Sequence, residues 1–311
     1  MKFKKFLAAT CAVAIIGTTF VGCTNNKEQN NDKKGAVENQ EYSNDYFVTA
    51  DWLKDNLDNE DVVVLDGRSE KEYNKGHIPG AINVAWQSLA NMKGKSGDKG
   101  WGVALDKDQL SEKLGALGID KDTEIITYAN KSGWGEDGRL TWELKSAGLN
   151  SKMLDGGYDL WSKDELPTTN EVPVVVSKDL TIDQIDSSTT ITTEDLYKNM
   201  DKYTIVDSRA KEEYDGATKF GEAVGGHIKG AISLPFNEVY NEDGTIKSEA
   251  ELNAIFEKAG LSKDQEIVTY CTAGIRSAHL ALILNMLGYH AKNYDASYYE
   301  WATAHPELVV K

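Results

Sequence analysis

One cysteine of this chain has the sequence context of a reactive thiol. Cys271 follows the run 266–270, whose alternating branched and aromatic side chains predict a buried strand, and a helical pattern follows Ser277. The thiol is therefore expected in the turn between a strand and the N-terminus of a helix. There the helix dipole, unpaired backbone N–H groups and the nearby Arg276 would all lower its pKa. We interpret Cys271 as a nucleophile rather than as a small apolar residue that fills a strand end.

The turn after Cys271 has the composition of an anion-binding loop. Its backbone N–H groups can point inward around one sulfur, and Gly274 allows the sharp bend that this requires. Such a cradle would stabilise a thiolate and a persulfide. We therefore expect the substrate to be bound by the residues of this turn, which are Thr272, Ala273, Gly274, Ile275, Arg276 and Ser277.

The chain contains an internal repeat in which only the second copy carries the cysteine. Where the second copy has Cys271 the first has Ala129, and the first copy's loop, residues 130–139, is longer. The first copy therefore cannot use the same chemistry. Four blocks recur in the same order: Val62–Tyr73 with Thr204–Tyr214, Gly76–Ile82 with Gly226–Ile232, Glu124–Tyr128 with Glu266–Tyr270, and Leu154-Asp155 plus Trp161 with Tyr294-Asp295 plus Trp301.

Each copy alternates short Val/Ile-rich strands with amphipathic helical stretches such as 110–117 and 277–287. This alternation is typical of an α/β fold with a mainly parallel sheet flanked by helices. We expect two such domains, a catalytically silent one at residues 45–170 and a catalytic one at residues 189–311. The linker between them, residues 171–188, starts with an apolar Val-Pro-Val-Val-Val run that we expect to pack across both domains.

Arg209 is a second candidate for substrate binding. It ends the strand of the Asp-x-Arg block, where it could hold the anionic end of a substrate by a forked contact. The silent copy keeps Arg68 at the matching place, which favours instead a structural pair with Asp207 or a nearby acid. Both roles stay open. By the same reasoning His77 and His227, shared by both copies, are expected to shape a turn rather than to catalyse.

The N-terminus has the pattern of a secretion signal. Residues 1–5 carry three lysines, residues 6–21 form an apolar run that is short for a membrane span, and Gly22-Cys23 follows. This ending is similar to a bacterial lipobox, which predicts a signal peptide at 1–23 and lipidation of Cys23. Residues 24–44 contain almost nothing apolar and are expected to form a disordered tether. The protein would then be extracytoplasmic and anchored to the bacterial cell membrane, with an ordinary secreted protein as the alternative.

The charge of the chain restricts its partners. The net charge is −16 with a pI near 4.8, which argues against nucleic acid because nucleic acid requires basic patches. Any anionic substrate must therefore meet a local positive site. The sequence leaves the oligomeric state open.

Taken together, the blocks Asp-x-Arg, Gly-His-Ile-x-Gly-Ala, Tyr-Cys-x-x-Gly-x-Arg-Ser and Asp with a Trp six residues on resemble the rhodanese fold of sulfurtransferases, here in tandem. The resemblance covers nearly the whole chain after residue 44. It implies a silent N-terminal copy that supports the active one and shapes its cleft, as in thiosulfate and 3-mercaptopyruvate sulfurtransferases. It also places Asp295, Ser297 and Trp301 near the cleft, although packing is the favoured role of Trp301.

The resemblance implies a persulfide mechanism without a metal or organic cofactor. Cys271 would take the outer sulfur of a small anionic donor, thiosulfate in preference to 3-mercaptopyruvate, and pass it to a thiophilic acceptor such as cyanide or a thiol. One catalytic alternative is a cysteine phosphatase, whose loop separates Cys and Arg by five residues where Cys271 and Arg276 are separated by four. The alternative from another class is a membrane-anchored module that binds a partner or senses sulfur species.

Overall fold

The computed structural model of this protein describes residues 45–311. The expected signal peptide at 1–23, the expected tether at 24–44 and the expected lipidation site Cys23 lie outside the described residues. Across residues 45–311, none of the helices combines the length and the apolar character that a membrane crossing requires.

The first copy of the repeat forms a five-stranded parallel sheet with the order β1-β5-β4-β2-β3. Because the strands are parallel, their carboxyl ends meet at one edge, where Asp66 at the end of β2 lies opposite Tyr128 at the end of β4. The elements are β1 Phe47–Val48, α1 Ala50–Asp55, β2 Val62–Asp66, α2 Glu70–Tyr73, β3 Ile82–Asn83, a 3-10 helix Trp86–Leu89, α3 Lys107–Ala116, β4 Glu124–Tyr128, α4 Glu136–Ser146, β5 Ser151–Leu154 and α5 Gly157–Lys163.

The second copy forms a four-stranded parallel sheet with the order β10-β9-β6-β8, and β7 and β11 form a separate antiparallel pair. Its elements are 3-10 helices Ser187–Thr189, Met200–Lys202, Phe236–Val239 and Pro306–Leu308, with α6 Thr193–Lys198, β6 Thr204–Asp207, α7 Lys211–Tyr214, β7 His227–Ile228, β8 Ile232–Ser233, α8 Glu249–Lys258, β9 Glu266–Tyr270, α9 Ile275–Met286, β10 His290–Asn293, α10 Ser297–Ala304 and β11 Val309–Val310.

The predicted fold class, two α/β domains with mainly parallel sheets flanked by helices, is confirmed. In both sheets the central strands carry β-branched and aromatic residues that are buried, as expected of strands covered on both faces. The helical pattern at 110–117 corresponds to α3 and the pattern at 277–287 corresponds to α9.

The two domains meet along α4 and α9. Gly138 of α4 lies against His279 of α9 so closely that a Cβ on Gly138 would stand 2.2 Å from the imidazole Nδ1. Only glycine allows this approach. The apolar cores also merge there, because Trp142 of α4 and Met153 of β5 belong to the same buried cluster as Leu282 of α9. The loops that follow β4 and β9 lead into these two helices, and each is thereby held close to the other domain.

The linker differs from the prediction. Its Val-rich start does not pack across the domains: Val172, Val174 and Val176 are 69%, 95% and 78% exposed. The later part packs instead, but on the first domain, where the Lys178 N–H donates to the Gly115 carbonyl (2.9 Å) and Ile182 is buried. The expectation was wrong because apolar character alone does not place a segment that lacks a regular hydrogen-bond pattern.

Candidate active site

Cys271 lies between strand β9 and helix α9, as predicted. Helix α9 begins at Ile275, two residues before the predicted start, so Arg276 belongs to its first turn. Gly274 caps the helix in the left-handed conformation (φ 80°), and a Cβ there would lie 2.4 Å from the Asp295 carbonyl oxygen. Both features require glycine at this position. The short turn thus places the thiol at a helix N-terminus.

The surroundings of Cys271 favour its thiolate. The residue is 1% exposed, and burial alone would raise the pKa of the thiol. The charge of Arg276, together with contacts from the backbone N–H groups of Ser277 and Ala273, outweighs burial, so the net pKa is lowered. A lowered pKa increases the ionised fraction of the thiol at neutral pH, and the thiolate is the nucleophilic form of cysteine.

Arg276 is held by a carboxylate that the sequence analysis did not single out. Its Nη1 donates to Glu213 Oε2 (2.7 Å) and its Nη2 to Glu213 Oε1 (2.9 Å), a forked contact. The Thr272 hydroxyl donates to the same carboxylate (3.0 Å) and accepts from Arg276 Nη2 (2.8 Å). Burial would raise the pKa of Glu213, but Arg276 and Thr272 keep it lowered. The guanidinium is therefore fixed beside the sulfur.

Glu213 was missed because its equivalent, Glu72, stands in the silent copy as well. Residues shared by both copies, such as His77 and His227, are expected to be structural, so the sequence gives no reason to single out Glu213. The signal that could have found it is the charge balance of the loop, because a buried arginine such as Arg276 requires a carboxylate partner.

Side chains behind the loop hold its backbone in place. The Cys271 N–H donates to the Ser297 hydroxyl (2.8 Å), and Ser297 itself has a left-handed backbone (φ 58°). The Ser277 hydroxyl donates to Asn293 Oδ1 (2.6 Å), and Asn293 Nδ2 donates to the Gly274 carbonyl (3.2 Å). All are buried. Ser277 and Ser297 therefore touch the nucleophile or its backbone from the protein side.

The first domain also reaches this loop. Arg139 of α4 is fully buried; its Nη1 donates to the Gly274 carbonyl (3.2 Å) and pairs with the Asp295 carboxylate, and its Nη2 donates to the Gly102 carbonyl (3.2 Å). Asp295 also accepts from the Ala104 N–H of the first domain (2.7 Å). The family resemblance predicts Asp295 near the cleft, but the sequence gives no signal for Arg139, because its contact joins the two copies of the repeat.

A cavity of about 520 Å³ opens at Cys271. The residues of the turn that line this cavity are Thr272, Ala273, Ile275 and Arg276. Gly274 and Ser277, which we also expected to bind the substrate, do not line it. The first domain contributes most of the remaining wall: Gly67, Arg68, Ser69, Ala85, Trp86, Gln87, Trp101, Trp134 and Glu136, with Phe220 and Tyr299 from the second.

Arg209 does not line this cavity. Its Nη2 donates to Asp207 Oδ2 (2.6 Å) and to the Gly226 carbonyl (2.7 Å), and the side chain is fully buried. Arg68 and Asp66 form the same pair at the same 2.6 Å. The structure thus gives Arg209 the surroundings of a structural residue, the second of the roles that the sequence left open.

The residues shared by both copies lie in similar surroundings. His77 stacks on Tyr73 and His227 stacks on Tyr214, with ring centroids 3.7 Å and 3.6 Å apart. Neither histidine lines the cavity at Cys271. Trp301 is completely buried in the core of the second domain.

Known proteins place this architecture in a family. The sequence matches the Rhodanese-like domain over residues 49–164 and again over 192–304. A sulfur carrier protein of Thermus thermophilus, TtuD, is 31% identical over 271 residues, which span 82% of this chain and 93% of that protein. A Haloferax volcanii protein, provisionally named a thiosulfate sulfurtransferase, is 31% identical over 282 residues, 85% of this chain and 96% of its own.

A solved structure has the same fold. The 3-mercaptopyruvate sulfotransferase SseA of Escherichia coli superposes with a TM-score of 0.69 at 24% identity, covering 81% of this chain and 98% of that one. The chain belongs to the rhodanese-like family and carries two copies of its domain in tandem.

Proposed function

We propose that this protein is a sulfurtransferase of the rhodanese type that carries a sulfane sulfur on Cys271. The observation that carries the proposal is a buried thiol with a lowered pKa, set beside a fixed guanidinium at the wall of an open cavity. The relatives with sulfurtransferase and sulfur-carrier names support the same chemistry.

The reaction consists of two displacements. The Cys271 thiolate attacks the outer sulfur of thiosulfate, the S–S bond of the donor breaks, and its electron pair leaves with sulfite. A persulfide remains on Cys271, stabilised by Arg276 and by the N–H groups of the loop. A thiophilic acceptor such as cyanide then attacks the outer sulfur, and the electron pair of the enzyme's S–S bond returns to Cys271. Atoms and electrons balance without a further oxidant or cofactor.

Thiosulfate is the proposed donor, with 3-mercaptopyruvate as its competitor. Arg276 supplies the positive charge that a small dianion requires, whereas the small residues Thr272 and Ala273 resemble the loop of enzymes that prefer mercaptopyruvate. Steady-state kcat/KM for the two donors, measured on the purified protein with cyanide as acceptor, decides between them. A higher value for thiosulfate supports the proposal, and a higher value for mercaptopyruvate contradicts this choice of donor.

Replacement of the nucleophile tests the reaction itself. Cys271→Ser should abolish donor-dependent thiocyanate formation while circular dichroism and the melting temperature stay close to those of the native protein. Full activity of this variant would contradict the proposal. A native protein that binds the donors but turns neither over would favour the alternative of a binding or sensing module.

We also propose that the protein is lipidated on Cys23 and held at the extracytoplasmic face of the cell membrane. The support is the sequence alone: a basic start, an apolar run and Gly22-Cys23. Labelled fatty acid should enter the native protein in a bacterial host and be absent from Cys23→Ser. Equal labelling of both proteins would contradict this assignment.

A further inference from the structure

The cavity at Cys271 is larger than the proposed donor requires. Its volume of about 520 Å³ falls within the roughly 300–1,000 Å³ of sites that hold organic ligands, whereas thiosulfate is a compact inorganic anion. The loop that carries Cys271 and Arg276 contributes only part of the lining of this cavity. The remaining walls therefore have a role that the donor does not explain.

These walls are aromatic. Trp101 packs edge-to-face against Trp86 (6.5 Å between centroids) and against Tyr299 (5.6 Å), and Trp134 packs edge-to-face against Phe220 (5.2 Å). Trp134 and Phe220 are 46% and 39% exposed, so much of their surface is free to contact a ligand. The three tryptophans all come from the silent domain. Aromatic surfaces of this kind bind planar or apolar groups and cations, through burial of area and through the ring quadrupole.

The charges of the cavity wall are already matched. Arg68 is paired with Asp66 (2.6 Å) and Arg276 with Glu213 (2.7 Å), so among the described lining residues each arginine has a carboxylate partner. The carboxyl group that lines the cavity belongs to Glu136, which accepts from the Trp134 N–H (2.8 Å) and whose pKa is raised by burial to about 7. Away from the loop that carries Cys271 and Arg276, the described lining residues therefore include no cation without a carboxylate partner.

We propose that the silent domain selects the sulfur acceptor. Its tryptophans, with Phe220 and Tyr299, bind a thiol that carries an aromatic or otherwise apolar body and no negative charge, while the second domain supplies the nucleophile. This inference rests on the proposed sulfur transfer. The acceptor thiolate attacks the outer sulfur of the Cys271 persulfide, the enzyme's S–S bond breaks, its electron pair stays on Cys271, and an organic persulfide leaves.

Discharge of a preformed persulfide tests the selection separately from the donor step. The protein is loaded with thiosulfate or 3-mercaptopyruvate, excess donor is removed, and loss of the extra sulfur is followed by mass spectrometry at increasing thiol concentration. Phenylmethanethiol should discharge the persulfide with an apparent second-order rate constant about tenfold above that of 2-mercaptoethanol, because its ring buries apolar area against the tryptophans. Cysteamine should likewise exceed mercaptoacetate.

Two variants locate the selectivity. Trp101→Ala should reduce the preference for phenylmethanethiol to about twofold or less, and Trp134→Ala, at a half-exposed position whose removal spares the core, should reduce it as well. Tyr197→Ala is the control, since Tyr197 is 47% exposed, stacks on His305 and lies outside the cavity; it should keep the native preference.

The outcomes distinguish failure of the acceptor assignment from failure of the proposed sulfur transfer. A loaded native protein that discharges to both thiols equally, or a preference that survives in both tryptophan variants, overturns the acceptor assignment and leaves the sulfur transfer standing. A protein that gains no sulfur from either donor contradicts the proposed function, and this inference with it.

Discussion

The two strand–turn–helix loops of this protein share a backbone plan but not a chemistry. In each, a glycine in the left-handed conformation caps the helix that follows, Gly135 before α4 (φ 75°) and Gly274 before α9 (φ 80°). The second helical residue after that cap is Arg276 in one domain and Asp137 in the other, and the residue that ends the strand is followed by Cys271 or by Ala129. The fold thus provides a helix N-terminus in both domains, and the side chains beside it determine whether a thiolate is present and stabilised there.

In each domain an aspartate accepts a backbone N–H group of the other domain, but only one of the two aspartates also pairs with an arginine. Asp155 accepts from the Ile246 N–H of the second domain (2.8 Å), just as Asp295 accepts from Ala104 of the first (2.7 Å). Only Asp295 has an arginine, because Ala278 stands where the first domain has Arg139. Burial accordingly raises the pKa of Asp155 to about 6. The first domain therefore contributes a charged side chain, Arg139, to the loop of Cys271, and the second domain contributes no arginine to the matching aspartate, Asp155.

The largest effect is expected when the thiol is moved from the loop of the second domain to the matching position in the first. Ala129→Cys in a Cys271→Ser background should show no thiocyanate formation above the Cys271→Ser level. The new thiol would have Glu136 and Asp137 in the first helical turn where Cys271 has Arg276, and nearby acids oppose a thiolate. Recovery of even a few per cent of native turnover would show that the backbone plan alone suffices. Thiol titration in denaturant confirms that the cysteine is present.

Removing the charge beside the sulfur is the next largest change. Arg276→Gln should lower kcat/KM for the donor by about 100-fold. Because Arg276 lowers the pKa of Cys271, its loss should raise that pKa, and the acid limb of the pH–rate profile should move to higher pH. Arg276→Lys keeps the charge without the fork to Glu213 and should shift the limb less. An unmoved limb in Arg276→Gln would contradict this role.

Substitution of Arg139 tests whether the first domain positions the loop of Cys271. Arg139→Gln should lower kcat about tenfold and raise the pKa of Cys271 measured by alkylation, because a buried charge near the thiolate is lost and the Gly274 carbonyl loses a donor. Arg139→Lys should recover part of the alkylation pKa. Lys145→Gln on the same helix is the control, because Lys145 Nζ donates to the Asp45 carbonyl (2.8 Å) and lies over the Tyr46 ring (4.7 Å to its centroid). A stability loss without any change in the thiol pKa would leave Arg139 a merely structural residue.

The smallest contrast is expected between Arg68 and Arg209. Both form the same buried pair with aspartate, so Arg68→Gln and Arg209→Gln should each lower the free energy of unfolding by about 3 kcal/mol. Urea denaturation measures both values. If Arg209→Gln instead kept native stability and raised only the KM of the donor, Arg209 would bind substrate.

The sequence predicts those parts of the site that lie within one continuous segment of the chain. The strand before Cys271, the glycine at 274 and the arginine at 276 lie within a few residues, and their spacing predicted the turn and its charge. Arg139 and the three tryptophans of the cavity wall come from the other domain, so no local pattern could reveal them. The exposed valines of the linker show the opposite failure, because an apolar run suggested packing that the tertiary structure does not provide.

The most direct test of the account is the mass of the Cys271 peptide. After brief exposure of the purified protein to thiosulfate and removal of the donor, that peptide should gain the mass of one sulfur atom and lose it on addition of cyanide, and the Cys271→Ser peptide should gain nothing. A native peptide that keeps its original mass while the protein still forms thiocyanate would contradict the persulfide on Cys271.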